Sequence, residues 1–409
     1  MSVKGALEGI RVLEWAVWLN GPSTGALLGD LGAEVIKIED PVHGDPTRGM
    51  ESMYGESMSV RGGSSVLYEV GNRSKLSITL NLKTDKGKEI LYNLVSRSDA
   101  FLTNFSENLT RKLKTDYETL RRYNQKLVYG LASGLGNRGP DAGLRSFDII
   151  LQARSGSMTL AGDRDYDEPF VMGAAFFDQI GASMLATGVV TALFCRERTG
   201  RGQRVETSIL GAALYAQAVP IAYQTLRGRA RLKHTRRGSR NPLSNHYKCA
   251  DGKWILLCEP QSDRFWEAFC RALGLEDWLR RPELSTSVVR RQHAEELNAG
   301  IAAVFMSRAR DEWVNLIKEK VPGISFSPIL TIAEVLQDPQ ALEMNYIVEH
   351  DHATLGRIKT YGYPMEFSET PMSIKSRPPE HGEHTELVLQ EIGGYSWEEI
   401  EQFREEGVI

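Results

Sequence analysis

The first third of the chain alternates strand patterns with helix patterns. Residues 11–16 and 34–39 predict strands, and Gly21-Pro22 opens a predicted helix between them, since proline is tolerated in a first helical turn. This β-α-β order over about 30 residues indicates a parallel pair of strands joined by a crossover. The same alternation returns between residues 77 and 133. Repeated alternation of this kind is typical of an open, doubly wound α/β sheet.

A different pattern begins after about residue 225. Residues 245–258 predict a β-hairpin around Asp251-Gly252, a dipeptide that favours a type I′ turn, and helical patterns follow it. This combination predicts a smaller α+β domain. The predicted organisation is a large domain that begins with residues 1–200, a linker at 201–240, the small domain at 241–325, and a return linker with the C-terminal part of the large domain at 326–409.

Composition narrows the classes of partner. The net charge of −4 provides no basic surface for nucleic acid, and the longest apolar run, near residues 182–195, is shorter than the roughly 20 residues that a membrane span needs. The four cysteines form no Cys-x-x-Cys pair, and no histidine lies at metal-ligand spacing from them. We therefore expect a cytoplasmic protein with no metal site and no nucleic-acid or membrane partner.

Asp178 stands at the start of the long apolar run that predicts a helix. A carboxylate there meets unpaired backbone N–H groups and the positive end of the helix dipole, and both favour its charged form. An ionised aspartate in a partly dry place can act as a nucleophile. The alternative is that Asp178 serves only as the N-cap of the helix.

A set of short motifs occurs in a fixed order along nearly the whole chain. They are residues 7–14, 30–39, 44–48, 81–84, 104–105, 133–136, 139–140, 196–203 and 382–385. Together they resemble the class III coenzyme A transferases, a family that also contains the α-methylacyl-CoA racemases. The resemblance implies a large Rossmann-like domain that binds coenzyme A (CoA), a smaller domain, and an interlocked homodimer.

The resemblance also implies an activity, in which Asp178 matches the nucleophile of the family. The implied enzyme moves CoA between two carboxylic acids through an aspartyl-acyl anhydride and an aspartyl-CoA thioester. CoA would be a co-substrate, and no cofactor would be bound permanently. Other positions match residues that contact CoA or line the thioester region in relatives: Leu19, Asn20, Leu80, Asn81, Lys83, Asn104, Phe105, Lys112, Arg145, Phe147 and Asp148.

Departures from the family pattern bear on the reaction and the substrate. Leu19 replaces a glutamine of relatives that transfer formyl and oxalyl groups, which argues against those acids. Phe147 replaces the histidine that racemases use as a second acid–base group. Phenylalanine cannot carry a proton, so the alternative activity, a racemase or isomerase of 2-methylacyl-CoA thioesters, is disfavoured. A third alternative is a protein that binds CoA without catalysis.

Apolar side chains crowd the predicted site and indicate an apolar or aromatic acyl group on at least one substrate. They are Trp15, Trp18, Leu19, Phe147, Phe176 and Phe177. The alternative is that several of these rings belong to the core, as most buried aromatic side chains do.

Overall fold

The computed structural model describes residues 5–166, 168–173, 175–230, 232–352 and 354–409. The chain divides into two units. The large unit comprises Met1–Met158, Val171–Ala230 and Asn345–Ile409, and the small unit comprises Thr159–Phe170 and Arg231–Met344.

The strands and helices are numbered in chain order. The strands are β1 (Arg11–Trp15), β2 (Glu34–Glu39), β3 (Ser52–Met53), β4 (Glu56–Ser57), β5 (Lys75–Thr79), β6 (Ala100–Thr103), β7 (Val128–Ser133), β8 (Arg204–Ser208), β9 (Ser244–Lys248), β10 (Trp254–Cys258), β11 (Phe326–Ile329), β12 (Ile347–His352) and β13 (Gly356–Tyr361). The helices are α1 (Asn20–Asp30), α2 (Val66–Asn72), α3 (Asp85–Ser96), α4 (Glu107–Lys112), α5 (Tyr117–Leu120), α6 (Asp148–Arg154), α7 (Ser157–Leu160), α8 (Phe176–Thr199), α9 (Ile209–Ala216), α10 (Ala218–Arg227), α11 (Ser262–Leu273), α12 (Ser287–Arg290), α13 (Ala294–Phe305), α14 (Arg310–Lys320), α15 (Ile332–Val335), α16 (Pro339–Glu343), α17 (Thr385–Val388) and α18 (Trp397–Glu405). Short 3-10 helices occur at Glu276–Arg280, Pro282–Leu284 and Arg291–His293, and Leu389–Gly393 is π-helical.

A six-stranded sheet forms the centre of the large unit, in the order β5-β2-β1-β6-β7-β8. All of its neighbouring strands run parallel. Counted along the sheet's own strands, this is the 3-2-1-4-5-6 order of Rossmann-type sheets, whose ligands bind beside the point where the order reverses. The predicted doubly wound parallel sheet is confirmed, and the reversal point lies between β1 and β6.

The two faces of this sheet are covered by different helices. On one face, Leu13 and Phe101 pack with Leu94 of α3 and with Ile400 of α18 near the C-terminus. On the other face, α8 packs along the apolar strand residues. The C-terminal segment therefore completes the core of the large unit.

The second face also contains buried charges beneath α1. Glu14 of β1 lies between Lys37 of β2 and Lys75 of β5, with N–O distances of 3.3 and 2.7 Å, and all three side chains are fully buried. A Cβ atom on Gly25 of α1 would come within 1.8 Å of the Glu14 carboxylate. Glycine at this position lets the helix approach the buried ions.

The predicted linker at 201–240 is wrong, because β8, α9 and α10 occupy most of it within the large unit. The sequence did not predict β8, because this edge strand contains the polar residues Arg204, Glu206 and Thr207. The small unit also extends beyond the predicted end at 325. Its third strand, β11, pairs with β10 in an antiparallel sheet of order β11-β10-β9.

The predicted hairpin of the small unit is present as β9 and β10, which pair antiparallel. The predicted type I′ turn is wrong. Trp254 pairs with Lys248, so the connection is longer than two residues, and within it only Gly252 has a positive φ, of 79°. The helices α11, α13 and α14 cover this sheet with a core around Phe269, Leu297 and Trp313.

Helix α8 is longer than its apolar run suggested. Its 24 residues are long and apolar enough to cross a bilayer by length and composition alone, contrary to the expectation from the run at 182–195. A core helix meets the same criterion, and Leu185, Val189 and Leu193 of α8 pack into the core of the large unit.

Candidate active site

A cavity of about 460 Å³ lies at the carboxyl ends of β1, β6 and β7, beside the reversal point of the sheet. Residues 17–20 after β1, Asn104 and Phe105 after β6, and Gly134 after β7 line it. The loop at residues 142–147 and Asp178 also line it. Because the carboxyl ends of parallel strands share one edge of the sheet, segments that are distant in the sequence converge here.

The loop between β1 and α1 is held from beneath by buried charges. The Lys37 ammonium donates to the Ala16 carbonyl at 2.8 Å and to the Asp45 carboxylate at 2.8 Å. A second oxygen of Asp45 accepts the Trp18 backbone N–H at 3.3 Å. Burial opposes the charge on Lys37, but Asp45 and Glu14 outweigh it and raise the pKa of its side chain.

This anchoring sets the backbone of Trp18, whose φ is +66°. A bulky residue with positive φ is a strained exception, so the contacts around it must outweigh the cost. The indole ring of Trp18 meets the Phe147 ring edge-on, with 5.3 Å between centroids. The Arg145 guanidinium lies 5.1 Å from the centroid of the Phe147 ring.

Asn104 fastens the same loop from the side of β6. Its side chain accepts the Val17 N–H at 3.0 Å and donates to the Val17 carbonyl at 2.6 Å. Phe105 packs on Trp15, with 4.2 Å between ring centroids. Both predicted residues line the cavity, but the amide of Asn104 is already committed to the backbone.

Asp178 lies in the first turn of α8, and its side chain is not the N-cap. The N-cap position is Ala175, which has no side-chain acceptor. The Asn20 amide donates to the Asp178 carbonyl at 3.0 Å, which joins α1 to α8 next to the cavity. The alternative in which Asp178 only caps the helix is wrong.

The expectation that the start of the helix favours the charged form of Asp178 is not met. Burial raises the pKa of its carboxyl to about 7, and the negative charge of nearby Asp148 adds to the rise. The N–H groups of Phe177 and Asp178 do not stabilise the Asp178 carboxylate. Both donate instead to one oxygen of Asp148, at 2.7 and 2.9 Å.

Asp148 is therefore placed behind the cavity wall and not in its lining. It is the first residue of α6 and is buried. Its second oxygen accepts a hydrogen bond from Gln152 at 2.6 Å. The prediction that Asp148 contacts CoA needs correction for its side chain, because both carboxylate oxygens are occupied by protein donors.

Seven predicted residues line the cavity. They are Leu19, Asn20, Asn104, Phe105, Arg145, Phe147 and Asp178. Leu80, Asn81 and Lys83 do not line it, although they follow β5 at the same edge of the sheet. Lys112, also outside the lining, is exposed in the last turn of α4.

The segment after β5 uses its polar groups internally. Asn81 donates from its backbone to the Val408 carbonyl at 2.7 Å and from its side chain to the Gly407 carbonyl at 3.2 Å. Lys83 forms an exposed ion pair with Asp40 at 3.1 Å. Leu80 is buried in the core of the large unit. The contacts of Asn81 hold the C-terminus at the edge of the sheet where the cavity lies.

Three of the six side chains of the predicted apolar pocket line the cavity. Trp18, Leu19 and Phe147 line the cavity, whereas Trp15 lies in the core against Phe105. The other two predicted residues are also elsewhere: Phe176 is about half exposed, and Phe177 packs in a separate cluster with Leu151, Ile209 and Ala213.

Sequence reasoning missed Gln152 and Ile209. Gln152 lies one helical turn after Asp148, and that i,i+4 spacing was the available signal. Ile209 lines the cavity from the start of α9, which the predicted linker concealed. Among the residues that the structure describes, no cluster of three or more His, Cys, Asp or Glu side chains is placed to hold a metal ion.

Comparison with known proteins agrees with this geometry. The model of CoA-transferase family III matches residues 7–385. A cinnamoyl-CoA:phenyllactate CoA-transferase of Clostridium sporogenes is 30% identical over 402 residues, which are 98% of this chain and 96% of that protein. A formyl-CoA:oxalate CoA-transferase of Rhodopseudomonas palustris (strain BisA53) is 29% identical over an alignment of 424 positions. The alignment covers 99% of this chain and 97% of that protein.

A solved structure supports the same assignment. The crystal structure of a CAIB/BAIF family protein from Brucella suis superposes with a TM-score of 0.84 at 28% identity, covering 95% of this chain and all of that one. The chain belongs to CoA-transferase family III. It is a CoA-transferase, and CoA is a co-substrate of its family.

The raised pKa of Asp178 has a measurable consequence for stability. Between the ordinary carboxyl pKa of about 3.9 and about 7, the folded protein retains a proton that the unfolded chain has released. Stability therefore falls as the pH rises through this window. We expect Asp178→Asn to remove that dependence and to raise the melting temperature at pH 8, but not at pH 4, by a few degrees.

Differential scanning calorimetry at both pH values measures the effect. Asp311→Asn is the matched control, because Asp311 also lies in a first helical turn but has a side chain that is 73% exposed. A stability difference between parent and Asp178→Asn that stays constant from pH 4 to pH 8 would contradict the assigned environment of Asp178.

Proposed function

We propose that this CoA-transferase moves CoA between two carboxylic acids with Asp178 as the covalent nucleophile. One observation carries the proposal. Among the described residues that line the cavity, Asp178 is the only carboxylate. Asp148, the carboxylate beside it, accepts hydrogen bonds from backbone and side-chain donors. We therefore do not assign it as the nucleophile.

The first half of the reaction transfers CoA to the enzyme. The ionised Asp178 carboxylate attacks the thioester carbonyl carbon of the donor, the C–S bond breaks, and CoA leaves as a thiolate. The product is a mixed anhydride between Asp178 and the donor acid. The thiolate then attacks the aspartyl carbonyl of this anhydride, releasing the donor as a carboxylate and leaving an aspartyl-CoA thioester.

The second half repeats these steps in reverse order. The acceptor carboxylate attacks the aspartyl carbonyl, the thiolate leaves, and a new anhydride forms. The thiolate attacks the acceptor carbonyl, which yields acceptor-CoA and restores the Asp178 carboxylate. No net proton transfer is required, so a second acid–base group is unnecessary. Donors to the tetrahedral oxyanions would each contribute about 10²–10³ in rate.

Several cavity groups suit a CoA thioester. The Asn20 side-chain oxygen is buried without a hydrogen-bond partner among the described residues, and a ligand N–H would satisfy it. Arg145 is the one cation in the described lining. We infer that the segments at Leu80–Lys83 and at Lys112 carry the nucleotide end of CoA. The Lys83–Asp40 pair reduces the positive charge there.

The racemase alternative is not favoured. It needs a second group that can exchange a proton on the opposite face of carbon 2, and the described cavity lining contains no histidine. Phe147 occupies the position where such a group is expected, and its ring contacts Trp18 and Arg145.

We infer that at least one substrate has an apolar or aromatic acyl group. The edge-on pair of Trp18 and Phe147 leaves apolar ring surface in the cavity, and Leu19 and Ile209 extend that surface. The relative from Clostridium sporogenes is named for two aryl acids. Formate and oxalate, named in other relatives, would leave this surface uncovered.

We also propose that the protein works as an interlocked homodimer in the cytoplasm, without nucleic-acid, membrane or metal partners. Apolar side chains on α8–α10 support an assembled state: Phe194, Tyr215 and Leu226 are 64%, 74% and 81% exposed in the single chain. A second copy would cover them. Light scattering should give twice the chain mass of 45.7 kDa. A monomer at micromolar concentration would refute the dimer.

Asp178→Ala tests the nucleophile. We expect transfer between two acids to fall by more than about a thousandfold, since loss of a covalent nucleophile removes the reaction path itself. With acyl-CoA and hydroxylamine, mass spectrometry should locate a hydroxamate on Asp178 of the parent and none in the variant. Asp311→Ala, in the first turn of α14, should react like the parent.

The alternatives give different results in the same assay. Undiminished transfer by Asp178→Ala would overturn the mechanism. Solvent deuterium entering carbon 2 of the acyl group would indicate the racemase instead. CoA binding without either reaction would indicate a protein that has lost catalysis.

Phe147→Leu tests the acyl preference. A contact between the Phe147 ring and an aryl group of the substrate contributes on the order of 0.5–1.5 kcal/mol beyond its area. We therefore expect kcat/KM to fall about twofold to twelvefold for an aryl-acyl CoA and to stay nearly unchanged for acetyl-CoA. Phe170→Leu is the control, because Phe170 is an exposed phenylalanine outside the described lining of the cavity. Equal losses for both donors would contradict an aromatic acyl site.

A further inference from the structure

We infer that Asp148 and Gln152 form a clamp on the first turn of α8, and that Asp148 is a positioning residue that controls the charge of the nucleophile. The inference rests on the proposed role of Asp178. Neither motif spacing nor the resemblance assigned this role, since Asp148 was expected to contact CoA.

The clamp replaces a missing helix cap. The first N–H groups of α8 have no partners within the helix, and the N-cap residue Ala175 offers no side-chain acceptor. Asp148 supplies the acceptor from a different helix: one carboxylate oxygen accepts the N–H of Phe177 at 2.7 Å and of Asp178 at 2.9 Å. The start of α8, and with it the nucleophile, is therefore positioned by α6.

Gln152 holds the Asp148 carboxylate in place. Its amide N–H₂ donates to Asp148 at 2.6 Å and to the Met172 carbonyl at 3.1 Å, and its amide oxygen accepts the Met172 N–H at 3.0 Å. Because both ends of the amide are used, it cannot rotate without losing bonds. Gln152 is 1% exposed and Asp148 is 6% exposed. The clamp joins α6 to the segment that leads into α8.

The clamp also determines where the negative charge resides. A carboxylate at the N-terminus of a helix is stabilised by the helix dipole, and here Asp148 takes that position. Asp178 receives burial and a like charge instead, which together raise its pKa to about 7. The Asn20 amide of α1 donates to the backbone carbonyl of Asp178, and Arg145 is the one cation of the described lining.

It follows that Asp178 is close to half protonated at neutral pH and that the transfer rate rises with pH through about 7. Asp148→Asn keeps an oxygen acceptor for the two N–H groups but removes the negative charge. We expect the midpoint of Asp178 titration to fall by about one pH unit, as for a carboxyl freed from a like charge. Gln152→Met is the matched control, because it loosens the clamp and leaves the charge on Asp148.

Two measurements on the full-length protein follow the charge and the catalysis separately. The first is a ¹³C NMR titration of carboxyl-labelled aspartate, with Asp178→Asn used to identify the Asp178 signal. The second is the pH profile of kcat/KM for CoA transfer. In Asp148→Asn both midpoints should move down together. In Gln152→Met both should stay near the parent value while kcat falls severalfold. Should Asp148→Asn fail to fold, Asp148→Ser, which also lacks the charge, serves in its place.

Each outcome decides a different point. A parent-like Asp178 titration in the uncharged Asp148 variant would overturn the electrostatic role. The clamp would be overturned if both variants, Gln152→Met and the uncharged Asp148 variant, kept the kcat and the Asp178 titration of the parent. An NMR midpoint that falls as expected, in a protein that transfers no CoA at any pH, would uphold the clamp and reject the proposed function.

Discussion

The shape of the candidate site depends on the contacts of one buried ammonium group. Lys37 binds the Ala16 carbonyl and Asp45, and Asp45 in turn binds the Trp18 N–H, so the loop after β1 is held from below. That anchoring helps to offset the strained backbone of Trp18 and supports the wall that Trp18 shares with Phe147. A buried ion pair contributes little net stability, since desolvation offsets its attraction. Its value here is the placement of the loop.

The two acidic side chains of the site, Asp148 and Asp178, also differ in their surroundings. Asp148 and Asp178 are close enough to influence each other, yet among the described residues only Asp148 receives hydrogen bonds on its carboxylate. The two carboxylates therefore have different environments and different roles. Asp148 is held in a donor-rich place behind the wall, whereas Asp178 stands in the cavity with a carboxyl that desolvation makes more basic. In the proposed mechanism a more basic carboxylate is also a stronger nucleophile once it is ionised.

The sequence predicted what local patterning controls and missed what long-range contacts control. The strands β1, β2 and β6 and the cap of α3 at Thr84 follow from apolar runs and a local hydrogen bond. The position of Asp178 in the cavity agreed with its motif. The strand β8 was missed because an edge strand can be polar. The N–H groups expected to stabilise the charge of Asp178 bind Asp148 instead, which lies 30 residues earlier in the chain. Spacing alone does not reveal which carboxylate obtains the helix N–H groups.

The size of the cavity is consistent with the covalent route that we propose. At about 460 Å³ it lies within the range of small-molecule sites, and its described lining has one cation and one carboxylate. A direct exchange would require the donor thioester and the acceptor acid to occupy the site together. The covalent route requires room for one acid at a time, because Asp178 carries CoA while the first acid leaves and the second enters. A single cavity at the reversal point of the sheet therefore suffices for both half-reactions, and the same apolar wall of Trp18 and Phe147 would meet both acids in turn.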